Sequence, residues 1–386
     1  MQRINPPKLF KEFFESEKSS GLILIGCTII SLTLANSGFS SAYLHFWHTN
    51  FSGQPIEYWI NDGLMTIFFL LIGLELEREV YQGELSDVKN ALLPIFGAIG
   101  GMIVPAGLFL LLNYGTATQS GAGIPMATDI AFSLGILSLL GKKVPISLKI
   151  FLTALAVIDD LGAILVIAIF YTKTLLWINL LIALGIFAVL LTLNRLKVKI
   201  LIPYLIGGVI MWYFMLNSGI HATITGVLLA FSIPFGDGSK KSTSIVLQHF
   251  LHKPVAFVIL PIFALANTAI ILSSNMGDIL TQNYSLGIAL GLIVGKPIGI
   301  FALCLLAVKS GICKLPSDLN WKSILSVGFL GGIGFTMSIF VTLLAFDDAT
   351  IINNAKLVIL LSSLIAGIIG FLSLKITLKR NDRTFH

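Results

Sequence analysis

Charged side chains interrupt three long apolar runs of this sequence. Asp129 lies in GAGIPMATDIAFSLG, and Asp159 and Asp160 are neighbours in LTALAVIDDLGAILV. Lys296 lies in VGKPIGI. A charge at the centre of a bilayer costs a few kcal/mol or more, so such residues are candidates for function. The alternative is a structural ion pair, but a single lysine can pair with only one of the aspartates.

The adjacent aspartates have the chemistry of a site for a small cation. Asp159 and Asp160 point about 100° apart on a helix, so each can face a different partner. Carboxylate oxygens suit Na⁺ or Li⁺, and the hydroxyl of Thr128 and freed backbone carbonyls could complete the shell. Carboxylates also bind protons, so competition for one site would couple the two ions. Two protons exchanged for one Na⁺ would move net charge, driven by about 2.3 kcal/mol per charge per 100 mV.

Lys296 has two interpretations, which the sequence does not separate. It could pair permanently with one aspartate, or it could lose its own proton when Na⁺ arrives. Interrupted helices add a further role, because helix N-termini are partially positive and C-termini partially negative. Asp129 would then compensate converging N-termini and Lys296 converging C-termini.

A second group of titratable residues falls at the expected cytoplasmic edge. It occupies GLELEREV and LQHFLHKP and comprises Glu75, Glu77, Arg78, Glu79, His249 and His252. These residues are either interfacial charges that reach for water or a pH-sensing funnel, since histidine titrates near physiological pH.

The elements that must position these residues are membrane helices. The 386 residues are 56% hydrophobic and 11% charged, with a mean hydropathy of +0.93. This composition is typical of an all-α polytopic membrane protein. Apolar runs predict twelve spans, at about 21–36, 58–77, 91–113, 122–140, 147–171, 176–194, 201–216, 219–235, 245–272, 284–308, 323–346 and 355–378.

The distribution of positive charge predicts the orientation. Of the 25 Lys and Arg, only Lys173 and Lys356 fall on the outer side, and Lys296 falls deep within a span. All the others fall on the inner side, in loops or near the ends of spans, which predicts that both termini are cytoplasmic. The net charge of +6 therefore reflects topology and not nucleic-acid binding.

The whole chain, 1–386, is predicted to form a single transmembrane domain. An amphipathic segment at 1–20 is expected to lie on the cytoplasmic surface, and 37–57 is expected to be an outer loop with a hairpin. Spans 4 and 11 carry helix-breaking and polar residues in matching positions of spans 3–5 and 10–12. This pattern predicts inverted repeats with interrupted helices at a transport site.

Five motifs carry a resemblance to a known family: ATDIAFSLG, ALAVIDDLGAI, SGIHATITG, VGKPIGI and GGIGFTMSIF. With them the chain resembles the NhaA-type bacterial sodium/proton antiporters, from about Gly21 to the last span. The resemblance implies twelve spans, interrupted helices 4 and 11 that cross at the midplane, and exchange of two protons for one Na⁺ or Li⁺ with activation at alkaline pH. It also implies an inner-membrane homodimer joined partly through the 37–57 hairpin.

The resemblance also implies roles for individual residues. Asp160 would be the main cation and proton site, Asp159 its partner and the ion-pair partner of Lys296, Thr128 a neighbour of the site, and Asp129 the group that compensates helix ends. The pH-response residues would be Glu75, Arg78, His249 and His252. An acid is common in the family where this chain has Gln248, and a base where it has Glu77, so these departures concern the pH profile.

A transporter of this kind is not an enzyme and is expected to need no cofactor. Its partners would be Na⁺, Li⁺, H⁺ and the lipid bilayer, with its anionic lipids. Two other functions fit the sequence less well. An intramembrane aspartyl protease would need paired carboxylates on facing spans, but Lys296 and the lack of a GxGD stretch argue against it. A cation channel would need a ring of charges or carbonyls, whereas the sequence has one asymmetric site.

Overall fold

The structure is a computed structural model that describes residues 8–172, 175–239, 241–272 and 276–384. The described residues are mainly helical, with one short β-hairpin. Among the described residues, eight helices are long and apolar enough to cross a membrane, or up to ten if two bent pairs each count as one span. The eight are Ile56–Tyr81, Lys89–Asn113, Gln119–Leu139, Ile146–Phe170, Trp177–Arg195, Thr243–Asn267, Asn283–Lys309 and Ala349–Lys379.

The chain is therefore a helical, multi-pass membrane protein, whereas the count of twelve spans stays a prediction. Two of the predicted spans form short helices, Ile202–Leu216 with 15 residues and Ile224–Ser232 with nine. The second is bracketed by Gly219, whose φ of 90° lies in the left-handed region, and by Pro234. Both residues disfavour a continued helix, so the apolar run is longer than the helix it contains.

The N-terminal region forms a helix, Lys8–Ala35, which is followed after a bend of 114° by the helix Ser40–His48. The strands Asn50–Phe51 and Gln54–Pro55 then pair antiparallel. The turn between them holds Ser52 and Gly53, both with positive φ, as a two-residue hairpin of the favoured hand requires. The interfacial segment at 1–20 stays a prediction, since residues 1–7 and the side chains of 8–18 lie outside the described part.

In the described part of the chain, two membrane segments are interrupted within the protein core. The first interrupted segment, Gln119–Leu139, consists of a 3₁₀ helix to Met126, three residues without helical structure, and the helix Ile130–Leu139. The second, 321–345, consists of the helices Trp321–Gly331 and Phe335–Ala345, which are inclined by 49°. Both breaks fall inside the protein core, so the freed backbone groups need partners there.

The helix Lys296–Lys309 reaches its place through close packing on the helix Val88–Asn113. A Cβ on Gly100 would collide with the backbone carbonyl of Gly299, and a Cβ on Gly299 with that of Gly100. Glycine at both positions therefore permits this approach of two helices. A π-helical turn ends at Gly295, directly before Lys296, and the lysine side chain is fully buried.

Buried apolar residues form two clusters. The larger cluster surrounds the interrupted segments and the helices packed against them. The smaller cluster lies mainly between the helices Trp177–Arg195, Ile202–Leu216 and Ile224–Ser232. The charged candidates for function belong to the region of the larger cluster.

Candidate functional site

The two interruptions provide hydrogen-bond partners for each other. The backbone N–H of Asp129 donates to the carbonyl of Ile333 at 2.7 Å. Ser133 Oγ donates to the carbonyl of Leu330 at 2.8 Å. On the other side, Ser338 Oγ donates to a carbonyl of the first segment at 2.7 Å. The broken backbone is thus satisfied between the two segments, as a buried interruption requires.

Asp129 caps the N-termini of two helices, one in each interrupted segment. Its Oδ1 accepts from the backbone N–H of Phe132 at 2.9 Å, as an N-cap does. Its Oδ2 accepts from both the backbone N–H of Thr336, at 3.1 Å, and the Thr336 hydroxyl. The side chain is 2% exposed. One carboxylate therefore meets two positive helix ends.

Lys296 and Asp159 form an ion pair that is closed to solvent. Lys296 Nζ lies 2.8 Å from Asp159 Oδ2, and both side chains have no exposed surface. The ammonium also donates to the carbonyl of Met126, the last residue of the 3₁₀ helix. Lys296 is thus placed at the C-terminal end of this 3₁₀ helix, where positive charge is favourable.

Thr128 connects this ion pair to the second interrupted segment. Its Oγ1 lies 2.8 Å from Asp159 Oδ2 and 2.8 Å from the carbonyl oxygen of Gly331. A hydroxyl carries one hydrogen, so it can donate to only one of these oxygens at a time. The three oxygens form a group of acceptors of the kind that an alkali cation prefers.

Asp160 differs from its neighbour in having no protein partner. Its side chain is fully buried, and within the described residues neither carboxylate oxygen accepts a hydrogen bond. An unpaired charge in such a place is very costly, so the carboxyl group must carry a proton or lie beside a cation. The charge of Asp159 is thus compensated by Lys296, whereas Asp160 is free to exchange a proton for a cation.

The acids near this point are too few for a site built from protein charges alone. Among the described residues, no group of three or more His, Cys, Asp and Glu is arranged to hold a metal ion. A Na⁺ at Asp159 and Asp160 would therefore need neutral oxygens as well, from Thr128, from backbone carbonyls or from water. Such a mixed shell suits a transported ion, which must also leave.

Two contacts link residues predicted at the cytoplasmic edge. His252 Nδ1 lies 3.8 Å from Glu75 Oε1, and the Glu75 side chain is buried. Arg78 instead pairs with its neighbour Glu79 at 2.8 Å. His249 is exposed on the helix Thr243–Pro254.

The two departures from the family pattern lie close to one another. Glu77 is 5% exposed and accepts from Ser244 Oγ at 2.7 Å. Gln248, one turn after Ser244 on the same helix, is 4% exposed. Within the described part of the chain, its side-chain carbonyl oxygen has no hydrogen-bond partner.

The structure buries a second lysine that the charge pattern of the sequence does not indicate. This pattern predicts Lys356 on the outer side and Lys296 as the only cation deep in the membrane. In the structure, Lys356 lies inside the helix Ala349–Thr384 and is 5% exposed. Its Nζ lies 3.7 Å from Glu57 Oε1 and 3.3 Å from Asn267 Oδ1. Asn267 within the apolar run of span 9 was the available signal.

Comparisons with known proteins agree with this architecture. A family model described as Na+/H+ antiporter 1 matches residues 11–374. The Na(+)/H(+) antiporter NhaA of Flavobacterium psychrophilum is 79% identical, over 96% of this chain and 97% of that protein. The Na(+)/H(+) antiporter NhaA 1 of Flavobacterium johnsoniae is 64% identical, over 98% and 99%. The Na(+)/H(+) antiporter NhaA of Cytophaga hutchinsonii is 62% identical, over 96% of each chain.

Proposed function

Because the chain belongs to the Na+/H+ antiporter 1 family, we propose that it exchanges Na⁺ for H⁺ across the membrane that it spans, and that Asp160 is the group for which the two ions compete. The observation that carries the proposal is the state of Asp160. It is a fully buried carboxyl group whose oxygens have no partner among the described residues, next to one that is paired with Lys296. Such a group needs either ion, and one excludes the other.

The exchange cycle follows from this competition. With a proton on Asp160 the site is neutral there and the carboxyl group needs no cation. When Na⁺ arrives, the carboxylate oxygens of Asp160, together with Asp159 and the hydroxyl of Thr128, take the place of part of its water shell. Alternating access then releases Na⁺ on one side and protons on the other.

The stoichiometry depends on what happens at Lys296. We propose two protons per Na⁺, and Li⁺ as a second substrate. One proton leaves Asp160. The other leaves the Lys296 ammonium, which becomes a neutral amine when Na⁺ takes its place beside Asp159. Exchange would then be electrogenic and driven by about 2.3 kcal/mol per 100 mV for the net charge moved. Asp129 is assigned the compensation of the two helix N-termini and not the transport of an ion.

Location, assembly and regulation complete the proposal. The positive-inside pattern and the family support a bacterial inner membrane protein with both termini in the cytoplasm. The exposed hairpin within 37–57 is the proposed contact of a homodimer, and the exposed basic loops face the anionic lipids. Glu75, Arg78, His249 and His252 are proposed to adjust activity to pH, with Glu75 and His252 in contact.

Proton movement in everted vesicles tests the assignment of Asp160. Addition of Na⁺ to respiring vesicles that contain the parent protein should dissipate the pH gradient. Asp160→Asn should abolish this response, because an amide cannot exchange a proton for a cation. Asp278→Asn makes the same chemical change at an exposed position and should behave as the parent does. Full exchange by Asp160→Asn would refute the assignment, and a parent without Na⁺-dependent proton movement would refute the function.

A further inference from the structure

One threonine of the helix Ile146–Phe170 is bonded differently from most threonines of the other described helices; Thr225, in the first turn of the helix Ile224–Ser232, shares this feature. Thr28, Thr66, Thr192 and Thr342 each donate their hydroxyl to the carbonyl four residues earlier, at 2.5–2.8 Å. The hydroxyl oxygen of Thr153 is buried but, within the described residues, has no hydrogen-bond partner. A buried polar atom without a protein partner typically contacts water or an ion.

Thr153 lies on the face of the helix that carries Asp160. The two residues are seven positions apart, which on an α-helix separates them by about 20° around the axis and about 10 Å along it. The helix has no break or internal proline between them. Thr153 and Asp160 therefore place unpartnered oxygens two turns apart on one face.

Exposure along this face ends at Thr153. The residues of the face nearer the helix start are partly exposed: Ile146, Lys149, Ile150 and Thr153. The next residues of the same face are buried: Ala156, Val157 and Asp160. The face is thus partly exposed from the start of the helix to Thr153 and buried from there to Asp160. In the proposed topology, the partly exposed end is the cytoplasmic one.

We propose that Thr153 contacts the transported cation on its way between the cytoplasm and Asp160. Its hydroxyl oxygen would replace one water of a partly hydrated Na⁺ at the point where the partly exposed part of the helix face ends. This inference rests on the proposed function, to which it adds a contact outside the aspartate site.

Isosteric substitution of Thr153 tests the contact. Thr153→Val keeps the shape but removes the oxygen, whereas Thr153→Ser keeps the oxygen. In everted vesicles, whose cytoplasmic face is outside, Thr153→Val should raise the apparent KM for Na⁺ by roughly two- to tenfold, the worth of one neutral polar contact. The maximal rate should stay within about twofold of the parent's, because the site at Asp160 is unchanged. Thr153→Ser should keep the parent's KM.

Thr192→Val is the matched control, because its hydroxyl is bonded to its own helix on a lipid-exposed position. It should leave the KM unchanged. If Thr153→Val does not assemble, Thr153→Ala removes the same oxygen with less bulk and should show the same rise in KM.

Two results would overturn the inference while the proposed function stands. One is an exchanging parent with an unchanged KM in Thr153→Val. The other is a raised melting temperature in that variant without a kinetic effect, since removal of an unpaired hydroxyl from apolar packing stabilises a protein. If the parent itself shows no Na⁺-dependent proton movement, the proposed function fails first.

Discussion

Replacement of Asp129 by asparagine tests whether one carboxylate holds the two interrupted segments together. An asparagine is isosteric and is about as good an N-cap as aspartate on an ordinary helix. At Asp129, however, both oxygens accept: one from Phe132 and the other from Thr336. Asparagine has one oxygen and one NH₂ group, so it can cap only one of the two helices and must direct N–H donors at the other.

The size of the effect follows from these contacts. A hydrogen bond from a backbone N–H to a charged acceptor contributes about 1.5–3 kcal/mol. A negative charge at a partly buried helix N-terminus contributes up to about 2 kcal/mol. The lost solvation of a buried charge, which asparagine avoids, offsets part of this sum. We therefore expect Asp129→Asn to lower the free energy of unfolding by about 2–4 kcal/mol.

Asp87→Asn is the matched control. Asp87 is an exposed N-cap whose Oδ1 accepts from the backbone N–H of Lys89 at 3.0 Å, and it serves one helix only. The same change there should cost under about 0.5 kcal/mol. Both variants would be unfolded by titration with sodium dodecyl sulfate in mixed micelles. Equal losses at the two positions, within about 0.5 kcal/mol, would refute the double cap, because a simple cap predicts them to be alike.

Two further perturbations have defined outcomes. Lys296→Met should lower the free energy of unfolding by about 3–5 kcal/mol, because it leaves Asp159 buried and unpaired. The double variant Lys296→Met with Asp159→Asn should recover most of that loss in the same titration. A double variant no more stable than the single one would contradict this. Hydrogen bonds from the backbone N–H groups of Ile351 and Thr350 hold the pKa of Asp348 below its usual 3.8. These hydrogen bonds to the carboxylate therefore stabilise the start of the last helix above pH 3.8, and this stabilisation is lost as the pH falls through the lowered pKa. Amide hydrogen exchange at Thr350 and Ile351, corrected for intrinsic rates, should accelerate between pH 5 and strongly acidic conditions in the parent but not in Asp348→Asn, and identical profiles would refute it.

The sequence predicted the chemistry of the site better than its surroundings. Asp129, Asp159, Asp160 and Lys296 were visible because each places a charge where lipid depth calls for apolar residues. Gly332 and Gly334 marked the second interruption for the same kind of reason, since helix-breaking residues are costly in a membrane. These signals are local and need no knowledge of the fold.

Contacts between distant segments could not be predicted in this way. The sequence predicts Lys356 on the outer side because a charge near a span end ordinarily reaches water. Its burial depends on Glu57 and Asn267, which come from other helices. The apolar run that contains the short helix Ile224–Ser232 likewise predicts a full span, because hydropathy does not show where the backbone leaves helical geometry.

The mutual bonding of the two interrupted segments has a consequence for how this protein is made. Asp129 is synthesised before its partner Thr336, which is 207 residues further along the chain. At a synthesis rate of about 5–20 residues per second, the ribosome needs roughly 10–40 s to deliver it. During that interval the first segment stands in or near the bilayer with unpaired amides and carbonyls, a state that favours delayed insertion or cover by another protein. The N-terminal half therefore cannot complete its hydrogen bonding before the C-terminal half is synthesised. A nascent chain that stalls before the second segment should be a substrate for quality-control proteolysis.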